Sequence, residues 1–181
     1  MADHSDTRRL FDAARLRATI EFPYISQGIW SLRGPIMVPG LLEKAGGAIA
    51  VDKGWRVYLD PNLEWTVAQL ATGLRHEVWH CLRGHALRRQ DRHQENWGHA
   101  TDLEINSDMQ CELPPPEWPY EGLHPESFGL DEHLTAEEYY ALLPESVSST
   151  QYCVVIGGSN SDGIPRVWEQ DADGSLREMT G

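Results

Sequence analysis

Residues 64–80 read EWTVAQLATGLRHEVWH, and this stretch decides how the rest of the chain is read. It contains no proline, and Val67, Leu70, Leu74 and Val78 recur at the three-and-four spacing of one helical face. The pattern predicts one long helix over residues 64–92, beginning after Asp60-Pro61-Asn62 and running through Gly73 and Gly84. On such a helix His76 and His80 lie one above the other on the same face. His76-Glu77-Val78-Trp79-His80 is therefore an H-E-x-x-H segment in the helical setting that lets two imidazoles bind one Zn2+. Glu77, beside His76, can reach water in an open coordination position. A carboxylate there takes a proton from that water and returns it to the leaving amine, which is amide hydrolysis.

A catalytic zinc site needs a third protein ligand, and two residues compete for the role. His85 follows His80 by five positions, so on an unbroken helix it points away from the metal face and reaches it only if the helix breaks at Gly84. Asp102 stands on the next predicted helix, residues 94–111, which can fold back across the first; it is the preferred ligand, with His85 the alternative. Asn106 and His99 flank Asp102 by one turn on either side and are candidates to support the ligands from behind. Tyr139, Tyr140, His93 and His99 are nominees for a donor to the attacked carbonyl, and the pattern does not separate them.

Moving outward, residues 7–22 carry Leu10, Phe11, Ala14 and Ile20 among charged residues, as an amphipathic helix ended by Pro23 would. Between residues 29 and 61, short apolar runs broken by Gly and Pro predict strands. The clearest pair, 48–51 and 55–59, forms a hairpin in which Gly54 is expected to take the positive φ. The strand just before the motif helix is expected to offer an edge on which an extended peptide can pair. Thr135 and Glu138 have capping-box spacing and open a short helix that Pro144 closes. Residues 146–181, rich in Ser, Gly and Asp, predict loops with one short strand at 152–156.

Composition narrows the function classes. Hydrophobic residues at 40% and charged residues at 24% are those of a chain that folds. A formal charge of -13 sets the surface against nucleic acid and anionic membranes and makes a basic or neutral partner easier; with the H-E-x-x-H chemistry, the expected partner is a peptide or protein substrate. Arg83, Arg88, Arg89 and Arg92 read as a solvated helix face. Cys81, Cys111 and Cys153 form no CxxC pair, and residues 1–19 have no signal-peptide core, so the expected location is the cytoplasm. Nothing in the pattern specifies an oligomeric state.

Taken together, WRVYLDPN (55–62), HEVWHCLRGHALRR (76–89), WGHATDLEIN (97–106) and LTAEEYYALL (134–143) resemble a bacterial metallopeptidase family with a zincin-like HExxH domain, often N-terminal to a VWA-like domain. The sequence departs from the family's pattern at Gly98 and His99. The resemblance implies an α+β, zincin-like fold: a small β-sheet packed on the long motif helix, with a second helix crossing it. The expected organisation is a zincin-like domain over residues 1–145 and a loop-rich extension over 146–181. The expected activity is zinc-dependent peptide hydrolysis with His76, His80 and Asp102 on the metal and Glu77 on the water. The alternative is a zinc-stabilised interaction module without catalysis.

Overall fold

Helix α1 (His4–Glu21) opens the computed structural model, which describes residues 4–39, 49–109, 123–144, 167–170 and 176–179. Its buried stripe is Phe11, Ala14 and Ala18, spaced three and four apart, and it packs on the motif helix. Ile20 falls off that stripe and is exposed, contrary to its expected place in the core. Pro23 closes α1 by starting a 3-10 turn (Pro23–Ile25).

A short helix α2 (Ser26–Ser31) follows and takes up residues 29–31, the start of the stretch where strands were expected. Arg15 of α1 reaches its free C-terminal carbonyls, donating to Trp30 O at 3.0 Å and Leu32 O at 2.6 Å. Tertiary capping of this kind satisfies acceptors that a single-turn helix leaves open.

Strands β1 (Arg33–Met37), β2 (Ile49–Val51) and β3 (Arg56–Leu59) make a mixed sheet in the order β1-β3-β2. The expected hairpin is present: β2 runs antiparallel to β3 with Val51 opposite Val57. Its turn differs in detail, since the positive φ falls on Trp55 (63°) and not on Gly54. Buried Asp52 makes this possible, accepting the Gly54 and Arg56 N–H groups on Oδ1 at 2.8 and 3.1 Å and the Tyr58 hydroxyl on Oδ2 at 2.9 Å. β1 pairs parallel to β3, so β3 is interior. The strand preceding the motif helix is thus not the edge expected of it. Among the described residues β2 is an outer strand, and it lies against the motif helix.

That helix, α3 (Val67–Leu82), begins at a capping box in which Gln69 N donates to Thr66 Oγ1 at 3.2 Å and Thr66 N donates to Gln69 Oε1 at 2.9 Å. Leu70, Ala71, Leu74 and Val78 form its apolar face and join Ile29, Ile49, Val57 and Leu59 in the main core. Each fully buried aliphatic side chain there contributes about 1.5–3 kcal/mol. The expected continuous helix to residue 92 is interrupted: Gly84 takes a left-handed conformation (φ 65°) and a one-turn helix α4 (His85–Arg88) sets off in a new direction.

Helix α5 (Gln94–Asp108) packs back on α3 and, through Ala100 and Leu103, on a second core formed with Leu123, Tyr139 and Leu143. Helix α6 (Ala136–Leu142) has the expected capping box, with Thr135 N donating to Glu138 Oε2 at 2.8 Å. A hairpin of β4 (Val167–Gln170) and β5 (Leu176–Met179) forms within the segment expected to be loops, while the strand expected at 152–156 lies outside the described residues. The architecture is α+β, with helices around a small three-stranded mixed sheet. No described helix is long and apolar enough to cross a membrane.

Candidate metal centre

Helical geometry divides α3 among three tasks. Leu70, Leu74 and Val78 face the core, His76 and His80 face α5, and Glu77 stands between the two faces at the boundary, fully buried. From α5, Asp102 enters the gap opposite the two imidazoles. The ligand atoms of His76, His80 and Asp102 all lie within 4.8 Å of one another. His76 Nε2 and His80 Nε2 are 2.9 Å apart, and Asp102 Oδ1 lies 3.1 Å from the latter and 3.4 Å from the former.

Each of the four residues is at least 94% buried, because the most exposed, His76, shows 6% of its surface. Burial first, and then the nearby His85 ring, push His76 down to about 3, with a hydrogen bond to the Asn106 side chain acting the other way. Burial and the two neighbouring imidazoles hold His80 well below its ordinary value. Both rings are neutral at pH 7, the form that offers a lone pair to a metal. Burial, reinforced by Glu77, drives Asp102 well above the ordinary carboxylate range. Glu77 is pushed up to about 8 by burial, partly opposed by the backbone of Val51.

Oδ1 of Asp102 completes no hydrogen bond among the described residues, and the Glu77 carboxyl, fully buried, has only the Val51 backbone acting on it as a donor there. Buried carboxyl oxygens without donors are costly, and a cation is the partner that this geometry suits. Two imidazole nitrogens and one carboxylate oxygen are also the donor set of a three-ligand zinc site.

The other expected residues are placed as follows. His85 comes to the far side of His80: the helix does break at Gly84, but the break brings His85 Nδ1 to within 2.9 Å of His80 Nδ1, away from the converging Nε2 atoms. Asn106 hydrogen-bonds His76 and donates to Leu123 O at 2.8 Å, standing behind the cluster. His99 is buried one turn before Asp102 but falls outside the group of converging ligand atoms. Tyr139 is taken up structurally, donating to Asp131 O at 2.9 Å, and the Tyr140 hydroxyl accepts the His93 N–H at 2.9 Å. These bonds tie Tyr140 to His93 and Tyr139 to Asp131.

Glu104, two residues after Asp102 and on the far side of α5 from it, was not among the expected site residues, and it collects Arg83, Arg88, His85 and the Ala136 N–H. Burial works to raise Glu104, but His85 and Arg88 outweigh it and hold the carboxyl down to about 2. Arg83 and Arg88 are consequently paired across elements and are not a solvated face; Arg83 also bonds Asp108, and Arg88 also bonds Glu137. The available signal was the density of Arg after the motif, set against acids at 104, 108 and 137.

A cavity of about 180 Å³ borders the centre, lined by Val51, Trp55, His80, Cys81, Ala86 and Leu87 among others. Burial pushes the Cys81 thiol up, with Glu77 and Asp52 adding to the shift, so it behaves as a small apolar wall residue. Cys111 and Cys153 lie outside the described residues.

Neither the curated proteins nor the solved structures contain a match to this chain. The family described as "Putative metallopeptidase domain" matches residues 11–173, nearly the whole sequence, and the chain belongs to that family.

Proposed function

We propose that this chain is a zinc-dependent metallopeptidase with a zincin-like site, in which His76, His80 and Asp102 hold the ion and Glu77 handles the proton. The observation that carries the reading is the convergence of three buried ligand atoms beside a second buried carboxyl, Glu77, that no side chain among the described residues pairs with. A bound zinc ion supplies Lewis acidity and lowers the pKa of its water. Glu77, its carboxyl engaged by no side-chain donor among the described residues, accepts the proton of the attacking water and passes it to the leaving nitrogen. Glu77 ionises more readily once positive charge lies nearby, which brings its high metal-free value towards the working range. The outer strand β2, set against α3, is suited to pair with an extended substrate backbone, and the cavity beyond His80 is suited to an apolar side chain.

A second reading, an ion held only for folding, is favoured by the near-complete burial of all four residues. One experiment separates the two. Zinc content by mass spectrometry and cleavage of a peptide library are measured for wild type and Glu77→Gln. The peptidase reading expects equal zinc and a loss of cleavage by at least about 100-fold. Wild type that is fully loaded yet cleaves no peptide, or Glu77→Gln cleaving at the wild-type rate, overturns it.

A further inference from the structure

His80 uses one nitrogen on each side. Nε2 faces His76 and Asp102, while Nδ1 lies 2.9 Å from Nδ1 of His85, whose own Nε2 lies 3.2 Å from Glu104 Oε2. An imidazole stands where a metal-binding histidine ordinarily meets a carboxylate or a carbonyl. A neutral imidazole has one N–H and one lone pair, so two Nδ1 atoms at this separation share a single proton, and its owner matters.

We propose that Glu104, acting through His85, is the positioning residue that holds His80 in the tautomer a metal ligand requires. The Glu104 carboxylate is surrounded by donors: Arg83 at 3.2 Å, Arg88 at 3.2 Å and the Ala136 N–H at 3.0 Å. Acceptor-only, it requires the proton of His85 on Nε2. Nδ1 of His85 is then a lone pair, and His80 must place its own proton on Nδ1 to meet it. The Nε2 of His80 is left bare towards His76 and Asp102. If Glu104 donated instead, the proton pattern would invert along the chain and turn an N–H into the ligand position.

Geometry backs the relay at each joint. The Trp97 indole donates to His85 O at 2.9 Å, fixing α4 on α5, and the left-handed Gly84 turns the chain so that His85 can stand behind His80. The rings of His80 and His85 meet edge to face at 78°, with centroids 5.0 Å apart. His85 is fully buried, so water does not compete for either nitrogen.

The inference rests on the zinc reading above, and its test keeps the two apart. Zinc affinity is measured by competition with a chromogenic chelator at pH 7 for wild type, His85→Leu, His85→Gln and Glu104→Gln, and the His80 ring nitrogens of the metal-free wild type are observed by 15N NMR. His85→Leu and Glu104→Gln are expected to weaken zinc binding 10- to 100-fold. His85→Gln, whose amide can accept from His80 and donate to Glu104, is expected to restore affinity to within a few-fold. The spectrum is expected to show His80 protonated at Nδ1. Wild type that binds zinc as tightly as His85→Leu does, or a His80 ring protonated at Nε2, overturns the relay and leaves the zinc reading standing. Wild type that binds no zinc overturns that reading and the relay with it. The NMR observation needs no variant, so a substitution that fails to fold does not rescue the proposal.

Discussion

Gly28 of α2 and Val78 of α3 are so close that a Cβ on Gly28 would sit 2.7 Å from Val78 Cγ2. Val78 lies between the two histidines in sequence and on the opposite, core-facing side of the helix in space. The Gly28 contact therefore sets how deeply the helix that carries His76 and His80 seats. Gly28→Ala is expected to cost about 1–3 kcal/mol through overpacking. Val78→Ala in the same chain should recover part of that loss, since it removes the colliding methyl. Urea unfolding of both single variants and the double variant checks this; strictly additive losses would show that the two residues do not meet.

Gly84 makes a different claim on the fold. Its φ is 65° and a Cβ there would touch nothing within 4 Å, so a side chain is opposed by backbone conformation alone. Gly84→Ala is expected to cost about 1–2 kcal/mol, while Gly84→Asn, which tolerates the left-handed region, should cost clearly less. Thermal unfolding ranks the two. Equal losses would place the strain somewhere other than the helix break.

What was legible beforehand was local. H-E-x-x-H spacing, the Thr135 cap and the 48–59 hairpin are read over a few residues, and the structure forms the helix, cap and hairpin at those positions. What escaped was set by distant partners. Helix α2 has no strong signal in SQGIWS; Arg15, from α1, caps its end, and its Gly28 leaves room for Val78 of α3. The parallel pairing that makes β3 interior joins segments with no local turn between them. Glu104 had no signal on its own helix, because the groups it gathers arrive only after the chain reverses at Gly84 and α6 docks.

Asp102 should show opposed effects on binding and folding. Its carboxyl is buried, held well above the usual carboxylate range, and lacks a donor on Oδ1, so ionising it costs the metal-free fold. Asp102→Asn keeps the shape and removes the charge. Zinc affinity is expected to fall by at least about 100-fold. The metal-free variant is expected to melt no lower than wild type at pH 7.5. A metal-free variant that unfolds markedly earlier would mean that Asp102 supports the fold through its charge, contrary to the geometry.

The metal-free protein should be most stable near pH 6.5, and the sign follows from two opposed sets of groups. Glu77, at about 8 when folded, keeps a proton that the unfolded chain releases above about 4.5, so the folded state binds more protons and stability falls as pH rises through that window. The slope per group is about 1.4 kcal/mol per pH unit, and Asp102 acts in the same direction. His76, at about 3 when folded, stays neutral while an unfolded histidine takes a proton below about 6.5, so stability is lost as pH falls from there, with His80 and His85 adding to the loss. Below pH 6.5 these rings, joined by His124, outnumber the two carboxyls, and above it the carboxyls dominate, with the buried Cys81 thiol acting in the same direction at the alkaline end. Melting temperatures of the chelator-treated protein from pH 5 to 8.5 should therefore pass through a maximum. Glu77→Gln should flatten the alkaline limb, and added zinc should reverse it, because binding at the cluster displaces the protons that the limb reports. An alkaline limb that Glu77→Gln leaves unchanged would remove Glu77 from the buried, proton-holding place assigned to it.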